Sequence, residues 1–79
     1  MAPQVPLVSS KKTVAALRRL GFTDARTEGS HMTMKRKRDE GGFDITVVVL
    51  GMKEIPRGTL RQALALGGVT VEEFSDALR

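Results

Sequence analysis

Apolar residues follow two different periods along this chain, and the first to appear is the period of a helix. The pattern predicts an amphipathic helix over residues 11–20, with Ser9 and Ser10 as candidate N-caps and Gly21 ending it. The apolar positions of this helix recur at three-residue spacing on one face: Val14, Leu17 and Leu20. Basic residues occupy much of the remaining helix surface.

Two further helices are predicted in the last third of the chain. One spans residues 59–66 and ends at the glycine pair Gly67-Gly68. In the other, Thr70 and Glu73 have the spacing of a capping box, in which each side chain accepts a main-chain N–H of the other residue. The inward positions of these two helices are predicted to be Leu60, Ala63, Leu64, Val71, Phe74 and Leu78.

Between the first two helices, apolar and polar residues alternate as they do in strands. The alternation predicts strands over residues 24–28, from His31 to a turn at residues 38–42, and over residues 43–50. The first strand is polar and is expected at a sheet edge, and Gly29-Ser30 is expected to break or bulge the chain after it. The order α-β-β-β-α, with a short C-terminal helix, predicts an α+β fold in which helices cover one face of a three-stranded antiparallel sheet.

Strand alternation also assigns side chains to faces. Met32 and Met34 belong on the helix-covered side, so His31 and Lys35 are expected on the opposite, accessible side. In the third strand an apolar row shares one face: Phe43, Ile45, Val47 and Val49. All three phenylalanines, Phe22, Phe43 and Phe74, are assigned to the core, which leaves no aromatic side chain on which a nucleobase could stack.

Length and composition narrow the class of protein. The chain is expected to form one domain over residues 1–79, with an extended lead-in over residues 1–8. The absence of cysteine excludes disulfides and thiolate metal sites, and a single histidine cannot form a His-rich zinc site. Without a long apolar run or a signal-like start, a soluble cytoplasmic protein is expected. The net charge of +4 suits a polyanion such as RNA, or an acidic protein.

His31 is the only histidine of the chain, and histidine is the side chain best suited to acid–base chemistry near neutral pH. A basic run follows it at Lys35, Arg36, Lys37 and Arg38. RNA carries its own nucleophile, the 2′-hydroxyl, so proton transfer beside positive charge is chemically sufficient for cleavage. Ser30 is excluded as a nucleophile activated by His31, because neighbouring strand residues point to opposite faces.

Two other functions fit the same pattern. A non-catalytic RNA-binding module would use the basic run without chemistry at His31. A protein whose open sheet face only binds another protein would need no affinity for RNA. An assay with RNA distinguishes the three functions. The nuclease cleaves RNA, the RNA-binding module binds it without cleavage, and the protein-binding domain does neither.

The sequence resembles the HicA toxins over about residues 8–78. The resemblance rests on segments that agree with that family in order and spacing: Ser9-Ser10-Lys11, Leu20-Gly21-Phe22, Gly29-Ser30-His31, Glu54-Ile55-Pro56-Arg57-Gly58-Thr59-Leu60-Arg61 and Val71-Glu72-Glu73-Phe74. Departures from many relatives occur at Glu28, Met32 and Leu50. Gly-Ser-His alone would be a weak signal, and its flanking segments make it specific.

This resemblance implies a double-stranded-RNA-binding-domain-like fold and the activity of an mRNA interferase. Such a toxin is a metal-independent endoribonuclease without a cofactor that cleaves mRNA, arrests translation and growth, and is neutralised by a HicB antitoxin. The catalytic histidine of the family corresponds to His31. The residues expected to contact the RNA are Gly29, Ser30, Lys35, Arg36, Lys37 and Arg38, with Lys11 and Lys12 as further candidates.

Overall fold

The computed structural model describes residues 4–79, and the part of the predicted lead-in at residues 1–3 lies outside them. In chain order the elements are α1 (Ser10–Arg19), β1 (Thr23–Glu28), β2 (His31–Lys37), β3 (Phe43–Val49), α2 (Arg57–Leu66) and α3 (Val71–Ala77). The strands form one antiparallel sheet in the order β1-β2-β3. The predicted α+β, double-stranded-RNA-binding-domain-like arrangement is therefore confirmed.

Two of the three helices begin at the caps that the sequence predicts, and the third begins earlier than predicted. Ser9 caps α1, because its Oγ accepts the N–H of Lys12 at 3.1 Å. Thr70 and Glu73 form the predicted capping box, and the N–H of Thr70 lowers the pKa of the Glu73 carboxyl. Helix α2 begins two residues earlier than predicted, directly after Pro56, whose ring holds φ at −52°.

One hydrophobic core lies between the helices and the sheet. Its fully buried side chains include Leu17, Phe22, Met34, Val48, Ile55, Leu60, Leu64 and Phe74. The extended lead-in also belongs to it, because Val5 and Val8 are buried. The carbonyl of Val8 accepts the N–H of Ile55 at 2.8 Å, and the carbonyl of Val5 accepts Nε of Arg57 at 3.0 Å. These contacts hold residues 5–8 against the loop before α2.

The apolar row of β3 faces the open side of the sheet, so the prediction that Phe43 lies in the core is wrong. Residues that pair across antiparallel strands share a face, and Met34 pairs with Thr46. The helices cover Met34 and Thr46, which leaves the alternate residues of β3 outside, and Phe43 is 48% exposed. A threonine is tolerated inside because its hydroxyl donates to the carbonyl of Ala63 at 2.5 Å.

The link between β1 and β2 is a two-residue turn rather than a break. Glu28 pairs with His31 across Gly29-Ser30, and Gly29 takes a φ of +57° that suits glycine. The irregularity of this hairpin lies near the start of β1, where the register shifts between Asp24 and Arg26. The tight turn places His31 at the very start of the central strand.

Candidate functional site

His31 lies exposed on the open face of the sheet, where strand alternation places it. Its cross-strand neighbours on that face are Glu28 of β1 and Val49 of β3. The N–H of Leu50 donates to the carbonyl of Ser30 at 2.6 Å. Hydrogen-bonded and non-bonded pairs alternate, so the next pair, His31 and Val49, is non-bonded with Cα atoms about 4.5 Å apart. The imidazole therefore has Val49 as a close neighbour and solvent above it.

The amino end of α1 is fastened to the same end of the sheet by Ser10. The Oγ of this buried serine donates to the carbonyl of Val49 at 2.7 Å and accepts the N–H of Met52 at 3.0 Å. The N–H of Ser10 donates to the carbonyl of Met52 at 3.0 Å. Because Val49 pairs with His31, this clamp brings the exposed Lys11 and Lys12 to the histidine end of the sheet.

A groove of about 430 Å³ opens between α1 and β2 beside this clamp. Apolar side chains form most of its lining, and Lys11 and Arg18 bring cationic groups to it; the apolar residues are Val14, Met32, Leu50 and Met52. Arg18 is held by an ion pair with Asp24 at 2.6 Å. The groove lies on the helix-covered side of the sheet, opposite His31, because Met32 is part of its lining.

The basic run, whose four residues are all expected to contact RNA, is divided between the two faces of the sheet. Lys35 and Lys37 are exposed on the open face, in the same row as His31. Arg36 points to the helix side, where its guanidinium carbon lies 4.6 Å from the centre of the Phe22 ring. The guanidinium also donates to the carbonyl of Leu20 at 3.2 Å.

Asp44 holds two arginines of that run. Its carboxylate accepts Nη2 of Arg36 at 2.9 Å and Nε of Arg38 at 2.8 Å. The hydrogen bond from Arg36, followed by that from Arg38, lowers the pKa of the Asp44 carboxyl. The side chain of Arg36 is only 23% exposed, against 49% for Arg38, so Arg36 is occupied inside the protein. Arg38 keeps about half of its surface in solvent.

The lysines of the open face lie progressively further from His31 along β2. At about 3.3 Å per residue, the Cα atom of Lys35 lies about 13 Å from the Cα atom of His31, and that of Lys37 lies about 20 Å from it. The Nζ of Lys35 lies 4.8 Å from the centre of the Phe43 ring, at the neighbouring row of β3. The exposed turn residues Gly29 and Ser30 are directly beside His31 in the chain.

Glu28 is a charged neighbour of His31 that the sequence reasoning missed. It pairs with His31 in the register and so shares its face, and its carboxylate accepts Nε of Arg26 at 3.0 Å. The signal was present in the spacing, because two residues between strand ends are typical of a tight hairpin. A break at Gly29-Ser30, as the sequence analysis expects, would not place Glu28 opposite His31.

Two structural absences apply to residues 4–79. Histidine, aspartate and glutamate side chains nowhere gather in groups of three that could hold a metal ion. No helix in the same part of the chain has both the length and the apolar character needed to cross a membrane.

The order of elements and the sheet with one open face define a small α+β protein of the double-stranded-RNA-binding-domain-like class, with a solvent-facing histidine. A family model described as "HicA toxin of bacterial toxin-antitoxin" matches residues 10–69, from the first residue of α1 to the residue before the cap of α3. The match covers well over half of the chain, which therefore belongs to the HicA toxin family. No curated protein matches the sequence. Membership assigns the chain the toxin role and implies an antitoxin as its partner.

Proposed function

We propose that this HicA toxin is an endoribonuclease that cleaves mRNA and thereby arrests translation and growth, and that a HicB-type antitoxin neutralises it. The observation that carries the proposal is the position of His31. The only histidine of the chain is exposed on an open sheet face, at the end of the sheet where Ser10 fastens the start of α1 to Val49. Family membership supports the toxin role, and this geometry supports the chemistry.

Cleavage of RNA at this site needs two proton transfers. A base removes the proton of the 2′-hydroxyl, whose oxygen attacks the adjacent phosphorus and forms a 2′,3′-cyclic phosphate. As the bond from phosphorus to the 5′ oxygen breaks, an acid gives that oxygen a proton. We assign the acid to the His31 imidazolium and the base to the carboxylate of Glu28, because the two residues pair across the hairpin on one face.

Positive charge is available on both sides of the reacting phosphate. Arg26, bound to Glu28, lies next to the base, and the turn at Gly29-Ser30 offers main-chain N–H groups and a hydroxyl. Lys35 and Lys37 would contact phosphates further along the RNA on the open face. Lys11 and Lys12 would contact phosphates that pass the start of α1. Arg38 can contribute through its exposed half, whereas Arg36 serves the fold.

The variant His31→Ala tests the chemical step. We expect it to fold normally, because the side chain is exposed, and to lose cleavage of single-stranded RNA by roughly 100-fold to 10,000-fold. Growth arrest on expression should be relieved to the same extent. Thr33→Ala, two residues along the same row, is the matched control and should retain cleavage. All variants are compared by gel electrophoresis of the RNA products. In this assay Glu28→Gln should reduce cleavage and alter its pH profile, because the proposed base is removed.

Three results would contradict parts of this proposal. Undiminished cleavage by His31→Ala, with EDTA present to exclude a contaminating metal nuclease, would remove His31 from the mechanism. RNA binding that weakens steeply with salt, without any cleavage product, would favour the non-catalytic RNA-binding module. A full activity of Glu28→Gln at every pH would leave His31 in place and assign the base to another group.

A further inference from the structure

The outer edge of β3 carries main-chain groups that the sheet does not use. In the β2–β3 ladder, the N–H of Leu50 bonds to Ser30 and the N–H of Arg38 bonds to the carbonyl of Gly42 at 3.0 Å. Bonded and non-bonded pairs alternate, so the even-numbered residues of β3 bond to β2. The N–H and C=O groups of Phe43, Ile45 and Val47 therefore point away from β2, along the free edge.

Within residues 4–79, no side chain or loop supplies a hydrogen-bond partner to these outward groups. The one outward carbonyl of β3 that is satisfied belongs to Val49, which accepts the Ser10 hydroxyl. Residues of α2 and Ile55 border the edge at its Val47–Val49 end. The stretch from Phe43 to Val47 is left as the accessible part of the edge.

The two edges of the sheet are built differently. The other edge strand, β1, is polar, carries three charged residues and is interrupted by a register shift between Asp24 and Arg26. Charges and bulges are the usual means by which an edge strand avoids pairing with another chain. β3 has no bulge, proline or lysine, and its one charged residue, Asp44, is bound to arginines on the helix side. The residues of β3 on the open face are aromatic or β-branched. Such an edge is suited to accept a further strand.

The side chains beside this edge indicate what the further strand carries. Phe43, Ile45 and Val47 are between 40% and 52% exposed, so they form an apolar row that an added strand would cover. On the same face β2 and β3 together contribute two charged side chains, Lys35 and Lys37, and no carboxylate. A second copy of this chain would bring the same two lysines, whereas a strand with carboxylates would complement them.

We infer that the Phe43–Val47 edge of β3 is the docking edge for an extended segment of the antitoxin protein, which adds a fourth strand with apolar and acidic side chains. The inference rests on the proposed toxin–antitoxin function and names how the partner is recognised. Main-chain hydrogen bonds supply affinity, and the apolar row with the two lysines supplies specificity. An antitoxin strand in this position extends the sheet that carries His31, and β3 alone separates it from the lysine row of β2 proposed to bind RNA.

Amide hydrogen exchange tests the edge directly. The probe is the product of the open reading frame next to the toxin gene, co-expressed and purified with the full chain. In the free toxin the N–H groups of Phe43, Ile45 and Val47 should exchange fast, and complex formation should slow them at least tenfold. The inward N–H groups of Thr46 and Val48 should be slow in both states, which provides the internal control for folding.

A substitution gives a second, independent readout. Ile45→Pro removes an outward N–H without removing a ladder bond, so the sheet should persist. We expect it to weaken the complex at least 100-fold, whereas Ile45→Thr, which keeps the N–H and a β-branched side chain, should weaken it less than tenfold. RNA cleavage by both variants should match that of the unchanged protein.

The outcomes separate this inference from the proposed function. A complex that leaves the three outward amides fast and binds Ile45→Pro normally would overturn the docking edge alone. Protection that rises with toxin concentration and needs no antitoxin would replace the antitoxin by a second copy of the chain. Failure of the neighbouring gene product to bind at all would overturn both the docking edge and the proposed antitoxin. Neither readout depends on cleavage, so an inactive nuclease would leave the result intact.

Discussion

The two faces of the sheet use neighbouring residues of one strand for opposite purposes. On the helix side, Met34 is fully buried and Arg36 is locked to Asp44 beneath the Phe22 ring. On the open side, Lys35 and Lys37 extend into solvent in the row that begins with His31. The run of four basic residues therefore contains two solvent-facing lysines on the open side and two arginines bound to Asp44 on the other, of which Arg36 is sheltered and Arg38 is half exposed.

This difference teaches that charge in a sequence is not equivalent to charge on a surface. Arg36 contributes its charge to a sheltered ion pair, where a partner carboxylate compensates for lost hydration. Lys35 is exposed on the open face, where an ammonium can contact a phosphate as a point charge. We therefore expect substitutions on the helix side to alter stability and those on the open side to alter binding of RNA.

The largest contrast is expected between Met34 and Ile45, which lie on opposite faces of adjacent strands. Met34→Ala should lower the free energy of unfolding by about 2–5 kcal/mol, because it leaves a cavity in the core. Ile45→Ala should lower it by about 1 kcal/mol or less, because half of that side chain is already exposed. Urea denaturation of both variants measures the two values. Equal losses would mean that β3 presents its apolar row to the core after all.

The next contrast compares Lys35→Gln with Arg36→Gln. Lys35→Gln should weaken RNA binding, reduce the slope of log affinity against log salt by about 0.7, and leave the melting temperature unchanged. Arg36→Gln should lower the melting temperature by several degrees, because Asp44 loses its principal partner, and should keep the salt slope. Fluorescence anisotropy with a short single-stranded RNA and thermal melting provide the measurements. A salt slope reduced equally by both variants would return Arg36 to the RNA contacts.

The smallest effect is a pH dependence confined to the helix side. The two arginines lower the pKa of Asp44 in the folded protein, so the stabilisation is complete above the ordinary carboxyl pKa of 3.8. It is lost as the pH falls below that value through the lowered pKa of the folded state. The difference in melting temperature between the wild type and Asp44→Asn should therefore shrink as the pH is reduced. A constant difference from pH 7 to pH 2 would exclude this ion pair as its source.

Local patterns were sufficient to predict much of the fold. The capping box at Thr70 and Glu73 forms as predicted, and Ser9 caps α1. The alternation from His31 to Lys35 predicts the accessible side for the histidine without any knowledge of strand pairing. Such features depend on residues within a few positions of one another, so the sequence contains the necessary information.

The missed features depend on contacts between distant parts of the chain. Alternation alone groups Phe43 with Ile45 and Val47, but the pairing of Met34 with Thr46 decides that their face is open. The guanidinium of Arg36 contacts Asp44 because the register of β2 and β3 pairs these two residues.

The sequence by itself determined the elements, their order, the family resemblance and the face of β2 that carries His31. The tertiary structure alone decided that Ser10 fastens the start of α1 to Val49, the residue opposite that histidine, and that Phe43, Ile45 and Val47 lie exposed along a free edge of the sheet. The physical reason is the range of the interactions. Caps and alternation are set by near neighbours, whereas register, coverage and unpaired edges follow from how whole elements pack.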